Sequence, residues 1–258
     1  MKDIRIIFFD IDGTLLDLHK KHMSDNTHYA LRQLQKNGIR ICIATGRTPI
    51  VLPEFPGIRF DAFLTFNGSY CYDAEGVIFS NPIPSKDVRQ IITNAAAIHR
   101  PVSLASRYRL AANGTDRDLA DYFAIAPLEV EIVEDFDTVA EGEVYQIMMG
   151  CRPADHPYIL KDVSGARITA WWDRAVDIIP ANGGKGRGIE EILRHYRLDP
   201  SQAMAFGDGN NDLEMLQTVG TGIAMGNASP ELKAIASEVC GPVSQDGIYH
   251  YCKSHGLI

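Results

Sequence analysis

Two aspartates one residue apart, Asp10 and Asp12, stand in the stretch "RIIFFDIDGTLLDLH". They interrupt an apolar run, Ile6 to Phe9 with Ile11 beyond, that reads as a buried strand. Taking a carboxylate out of water costs on the order of several kcal/mol when nothing compensates. A strand ending on two acids therefore asks for a metal, a substrate, or both.

Three other apolar runs end on polar groups. "IRICIATGR" ends in Thr45-Gly46-Arg47, "DAFLTFNGS" in Asn67-Gly68, and "AMAFGDGNND" in Asp208 to Asp212. If these runs are strands of one open parallel sheet, their carboxyl ends share one edge, where ligands bind in such sheets. Lys185 opens a helix inside "GGKGRG", where free backbone N–H groups favour an anion. Several acids, one lysine and one hydroxyl in one crevice suit Mg²⁺ together with a phosphate. Other loops with similar letters do not fit. "DIDGTLLDLHKK" and "DGNNDLEMLQTV" lack the glycine and terminal acid of a calcium loop. "GGKGRG" has Gly186 where a Walker loop needs a hydroxyl, and "GDGNND" has Asp212 at the third glycine of a dinucleotide fingerprint.

The elements that must position these groups alternate in type. A strand over 4–9 is followed by a helix in "SDNTHYALRQLQKNG", with Ser24 as N-cap, an Ala30-Leu31-Leu34 stripe, and Gly38 as the stop. Strands follow over 39–44 and 62–66, and then "SYCYDAEGVIFS" alternates around a turn as a hairpin does. Strand-helix-strand order implies a parallel sheet. The style changes near Pro82–Pro84. "SKDVRQIITNAAAIHR" is an amphipathic helix, short strands follow at "PVSLAS", "YRLAA" and "VYQIMMGC", and helices are expected at "DRDLADYFA" and "ADHPYILKDV". "ARITAWW" and "AVDIIP" read as an antiparallel pair. After "PANGGKGRG" the first style returns. The fold class is α/β: a Rossmann-like parallel sheet with helices on both faces, formed by 1–82 and 183–258, and split by an inserted α+β domain over 83–182. An insert of about 100 residues is large enough to fold as its own domain. Pro82–Pro84 and Pro180–Gly184 are its expected hinges.

"DIDGT", "ATGR", the lysine of "NGGKG" and "GDGNND", in this order, resemble the four motifs of haloacid-dehalogenase-like phosphatases. The long insert between the second and third motifs resembles the Cof-type branch with a type IIB cap. The resemblance implies Asp10 as the nucleophile that forms an aspartyl-phosphate. It implies Asp12 as the acid/base, with its backbone carbonyl on the metal, and Asp208 as the third protein contact to Mg²⁺. Thr45, Gly46, Lys185 and Asn211 would hold the phosphate. Arg47, Asn67, Gly68 and Asp212 would support them, Asp212 at the metal and lysine end. The chemistry agrees with this division of labour. Phosphoryl transfer needs positioning and charge stabilisation more than covalent work. The nucleophile must stay ionised, whereas the leaving-group acid must keep its proton, so the side chain of Asp12 should stay off the metal.

Each residue has a plainer reading when taken alone. Lys185 is then a surface lysine, Thr45 and Asn227 are caps, and Asn67-Gly68 is a turn. Arg47 reads equally as a structural ion pair or a ligand contact. "YHYCKSH" gathers His250, Cys252 and His255, but without a fourth ligand it reads as a solvated terminal helix. Of Trp171 and Trp172, neighbours on an expected strand, at most one can face a site. Arg107 and Tyr108 default to packing or surface roles.

The bulk numbers narrow the field. The chain has 258 residues, 45% hydrophobic and 22% charged, an ordinary globular balance. A formal net charge of −8 argues against nucleic acid as a partner. No run approaches the roughly 20 apolar residues that span a membrane, and the amino terminus lacks a secretory pattern. Five dispersed cysteines without CxxC spacing point to a reducing cytoplasm and inert thiols. The expectation is therefore a cytoplasmic, Mg²⁺-dependent phosphatase acting on a small phosphorylated metabolite, with sugar phosphates first. A sugar phosphomutase, distinguished by bisphosphate activation and absence of phosphate release, and a non-catalytic binding module, distinguished by absence of turnover, are the alternatives.

Overall fold

The computed structural model describes residues 3–17, 22–125, 128–170 and 172–258. Strand β1 (Ile6–Phe9) is buried along its whole length, as a central parallel strand covered on both faces must be. Helix α1 (Asp25–Lys36) is capped by Ser24, whose hydroxyl accepts from the Thr27 N–H, and it buries Ala30, Leu31 and Leu34. Strands β2 (Arg40–Ala44), β3 (Ala62–Thr65), β4 (Tyr70–Asp73) and β5 (Val77–Ser80) follow.

The insert contributes α2 (Ser85–Ala97), β6 (Val102–Ala105), β7 (Leu110–Ala112), α3 (Arg117–Ile125), α4 (Phe136–Ala140), β8 (Gln146–Gly150), α5 (His156–Ile159), β9 (Ala166–Thr169) and β10 (Ala175–Pro180). The chain then forms α6 (Lys185–Tyr196), β11 (Ala203–Gly207), α7 (Leu213–Thr218), β12 (Thr221–Ala224), α8 (Pro230–Ile235), β13 (Glu238–Val239) and α9 (Gly247–Ser254).

The large sheet has the order β13-β12-β11-β1-β2-β3-β4-β5. Its pairings from β13 through β3 are parallel, and β4 joins β3 antiparallel. The order reverses at β1: β2 and β3 lie to one side, β11 and β12 to the other. Such a reversal opens a crevice at the strands' carboxyl ends. Phe9 and Phe206, paired in register across β1 and β11, stack with centroids 5.3 Å apart just beneath that point.

By contact the chain divides into two units. One comprises Met1–Gly46, Pro53–Phe79 and Lys185–Ile258; the other comprises Arg47–Leu52 and Ser80–Gly184. The second unit holds an antiparallel sheet of order β7-β6-β8-β10-β9. One face, with Val102, Leu104, Ile147, Met149, Val176 and Ile178, packs with Val88 and Ile91 of α2, Phe136 of α4 and Ile159 of α5.

Local differences from the sequence reading have physical causes. The helix expected over "ADHPYILKDV" shortens to α5, because Pro153 and Pro157 remove backbone donors and Asp162 turns left-handed (φ 59°). Strand β9 stops at Thr169, before Trp172; Trp171 lies outside the described residues. Helix α4 has only five residues and no side-chain cap, so it left little periodic signal. The terminal helix α9 is not solvated throughout: Ile248, Tyr251 and Cys252 are buried. His255 stacks on Tyr251 and reaches Glu238 at 3.2 Å.

Candidate active site

The Asp10 N–H donates to the Phe206 carbonyl at 3.0 Å, extending the β1–β11 ladder by one residue and setting the first acid beside the end of β11. Beyond it, Gly13 adopts φ +87°. A Cβ there would lie 2.1 Å from the Asp208 carboxylate, so only glycine lets this turn approach β11 so closely. The Thr14 hydroxyl donates to Asp208 Oδ1 at 3.0 Å. Asn227, after β12, donates to the Gly13 carbonyl at 2.8 Å and lies 3.4 Å from Asp208 Oδ2, while its own oxygen accepts from the Val243 N–H. Asn227 is therefore a brace for the Gly13 turn and not the helix cap expected; Ser229 caps α8.

Lys185, the first residue of α6, is buried. Its Nζ lies 2.7 Å from Asp10 Oδ1 and 2.5 Å from Asp212 Oδ1. Asp212 turns its second oxygen back onto its own loop, accepting from the N–H groups of Asp208 and Gly209 at 2.9 and 3.0 Å. Both carboxylate oxygens of Asp212 are thus committed, one to the lysine and one to the backbone that presents Asp208. Gly207 makes room for this, since a Cβ there would fall 2.7 Å from the Asp212 carboxyl group.

The opposite side of the crevice is built on unusual backbone. Phe66, Asn67 and Gly68 all have positive φ (50°, 51° and 93°). A buried phenylalanine in that region is sterically costly and is held by its surroundings. The result is an Asn67 side chain beneath Gly46, where a Cβ would stand 3.0 Å from the amide. Asn211 donates to Asn67 Oδ1 at 3.1 Å, tying the β3 end to the β11 loop. Thr45 is buried, and its carbonyl accepts from the Asn67 N–H. Arg47 falls in the second unit, with its guanidinium donating to the Val51 carbonyl at 3.2 Å.

Ligand oxygens of Asp10, Asp208 and Asp212 lie within 4.8 Å of one another, the single group of three or more potential metal ligands among the described residues. Burial, and next the Asp212 charge, push the Asp208 carboxyl up to about 7. Asp10 is also raised well above the usual carboxylate range, by burial and by its acidic neighbours against the opposing pull of Lys185. For Lys185, burial alone would lower the ammonium, but Asp10 and Asp212 outweigh it and keep the proton bound. One lysine does not neutralise three acids. An all-oxygen donor set with surplus negative charge fits a hard divalent cation such as Mg²⁺. All five cysteines are free, and burial raises each thiol, which suits inert packing.

Residues 7–252 match the family model described as haloacid dehalogenase-like hydrolase. YkrA of Bacillus subtilis (strain 168) is 34% identical over 258 residues, covering 99% of each chain. The HMP-PP phosphatase of Escherichia coli O157:H7 is 29% identical, over 96% of this chain and 94% of that protein. The solved structure of the subclass IIB sugar phosphatase BT4131 superposes with a TM-score of 0.88 at 28% identity, over 98% of this chain and all of that one (100%). The chain belongs to the haloacid dehalogenase-like hydrolase family and, within it, to the Cof-type phosphatases of subclass IIB. It is accordingly an enzyme, a phosphatase. Among the described residues no helix is long and apolar enough to cross a membrane.

Proposed function

We propose that the protein is an Mg²⁺-dependent phosphomonoesterase for small phosphorylated metabolites, with Asp10 as the nucleophile. The observation that carries this reading is the Asp10 carboxylate beside the buried Lys185 ammonium, within the acid cluster. Asp10, the Asp12 carbonyl and Asp208 would hold the metal, since both oxygens of Asp212 are already engaged. When bound, Mg²⁺ supplies positive charge against the dianionic phosphate and keeps Asp10 ionised.

Asp10 attacks phosphorus in line with the leaving oxygen. Asp12 delivers its proton to that oxygen, so an alcohol departs and an aspartyl-phosphate remains on Asp10. Asp12, now ionised, takes a proton from water, and the resulting hydroxide oxygen attacks phosphorus. Orthophosphate leaves, and the Asp10 carboxylate and the Asp12 acid are restored. Lys185 faces the negative charge that builds on the phosphoryl oxygens, and Thr45, the Gly46 backbone and Asn211 orient them. Asp212 keeps the lysine aimed and protonated. Selection of the substrate is assigned to the insert, 83–182, and sugar phosphates are the first class to test; the relatives' named substrates include a sugar phosphate class and HMP-PP. A cytoplasmic setting, where such metabolites and Mg²⁺ occur, completes the proposal.

A panel of phosphorylated metabolites assayed for orthophosphate release, with and without Mg²⁺, tests it. Release that requires Mg²⁺ supports the reading. Turnover unaffected by EDTA, or transfer to a second hydroxyl without orthophosphate release, defeats it.

A further inference from the structure

At the amino-terminal edge of the large sheet, opposite the acid cluster, lies a cavity of about 510 Å³. Arg40 at the start of β2, Arg59 just ahead of β3, and Arg197 just after α6 line it, together with His195, Tyr196 and Asp73. A second depression shares Arg40 and Asp61 with it and adds Arg5.

Two of the three lining acids, Asp73 and Asp61, are already engaged, and the third, Glu75, is exposed and makes no ion pair with the arginines among the described residues. Asp73 accepts from the N–H groups of Glu75 and Gly76 with one oxygen, and contacts the Tyr196 hydroxyl and His195 Nε2 with the other, at 3.2 and 3.0 Å. Asp61 Oδ2 accepts from the Ile41 N–H at 3.0 Å. The arginines, in contrast, have no carboxylate partner among the described residues, apart from a loose 3.8 Å contact of Arg5 with Asp3. The Arg40 guanidinium lies over the Tyr196 ring at 4.8 Å, which holds its fork at the cavity wall. Arg197 takes a left-handed backbone (φ 55°), an unfavourable conformation for a residue with a side chain. Three guanidiniums thus line one concavity without an ion pair to Asp61, Asp73 or Glu75, which leaves their forks open to a bound anion.

We propose that this cavity is a second anion site, in which Arg40, Arg59 and Arg197 bind a small molecule bearing phosphate or carboxylate groups. Guanidinium forks match both oxyanions in a bidentate way. The volume lies in the range of small-molecule sites, roughly 300–1,000 Å³. The site uses no residue of the reaction proposed above, so either can fail without the other.

The test is calorimetric titration of the full chain in EDTA, with tripolyphosphate and with citrate as separate probes. One of them is expected to bind the wild-type protein, and its identity decides between phosphate and carboxylate chemistry. Arg59→Gln/Arg197→Gln should weaken that binding about tenfold or more. Its Mg²⁺-supported turnover of p-nitrophenyl phosphate and its anion-free Tm should stay at wild-type values. If that variant unfolds, Arg40→Gln and the charge-keeping Arg59→Lys/Arg197→Lys are compared instead, with binding weakened in both, since lysine keeps the charge but not the bidentate fork. Absence of binding by both probes, or equal affinity in wild type and the neutralised variant, overturns the proposal.

Discussion

Lys185 and Asp10, 175 positions apart in the chain, meet at 2.7 Å with the lysine side chain wholly shielded from water. A buried pair of this kind contributes little net stability, because desolvation offsets most of the attraction. Its value lies in charge placement: an ammonium held against the carboxylate that must meet a phosphate dianion. Asp212, on the lysine's other side, fixes where that ammonium points.

The two acids at the end of β1 should separate by leaving group. Asp12→Asn is expected to lower turnover of alkyl phosphates by about 10²–10⁴-fold, and that of p-nitrophenyl phosphate far less, since p-nitrophenolate departs without a proton. Steady-state rates on both substrates measure this. Equal losses would remove Asp12 from the role of leaving-group acid.

Gly13 should tolerate no side chain. In Gly13→Ala the methyl group would press on the Asp208 carboxylate at a left-handed backbone position. A stability loss of about 1–3 kcal/mol is expected, with a higher Mg²⁺ concentration needed for half-maximal activity because Asp208 is displaced. Urea denaturation and metal titration read the two effects. A variant with wild-type stability and metal response would contradict the close packing described.

How much of this was legible from the sequence differs by residue. Asp10, Lys185, Asp208 and Asp212 could be placed together because each sits at a strand end or helix start, and parallel-sheet geometry gathers such ends. Thr14 and Asn227 escaped notice as site residues, although Asn227 follows β12 and the same strand-end reasoning would have reached it. The Asn67-Gly68 turn was legible from its letters, but the left-handed backbone at Phe66 was not, because nothing about phenylalanine signals it; tertiary packing imposes it. The short helix α4 and the early end of β9 were lost for want of periodicity, and Arg47 gave no sign that its segment groups with the insert.

Asn67 offers a way to separate backbone from side chain. Asn67→Gly keeps the left-handed turn but removes the bond from Asn211; Asn67→Ala removes both. The alanine variant should be less stable than the glycine variant by about 1 kcal/mol or more. Both should lose turnover, since Asn211 is left without its anchor. Equal stability of the two would show that the backbone at position 67 is not held as described.

The acid cluster predicts how pH acts on the metal-free protein. The folded-state value of Asp208 is raised to about 7, above that of an unfolded carboxylate, so the folded protein holds this proton more tightly. The stability that the proton confers is complete below about pH 4 and is lost as pH rises through about 7. In EDTA, Asp208→Asn should therefore gain in Tm over wild type as pH goes from 4 to 8. For wild type, the Tm increment given by Mg²⁺ should grow over the same range. A pH-independent increment would contradict the clustering of these carboxylates.

The most direct test of the central claim is to quench the enzyme during Mg²⁺-supported turnover, reduce it with borohydride, and map the product by mass spectrometry. A covalent phosphoryl carboxylate at position 10 predicts conversion of Asp10 to homoserine, absent without substrate and absent in Asp10→Asn. Sustained turnover with Asp10 unmodified, or with another carboxylate reduced in its place, would contradict the account.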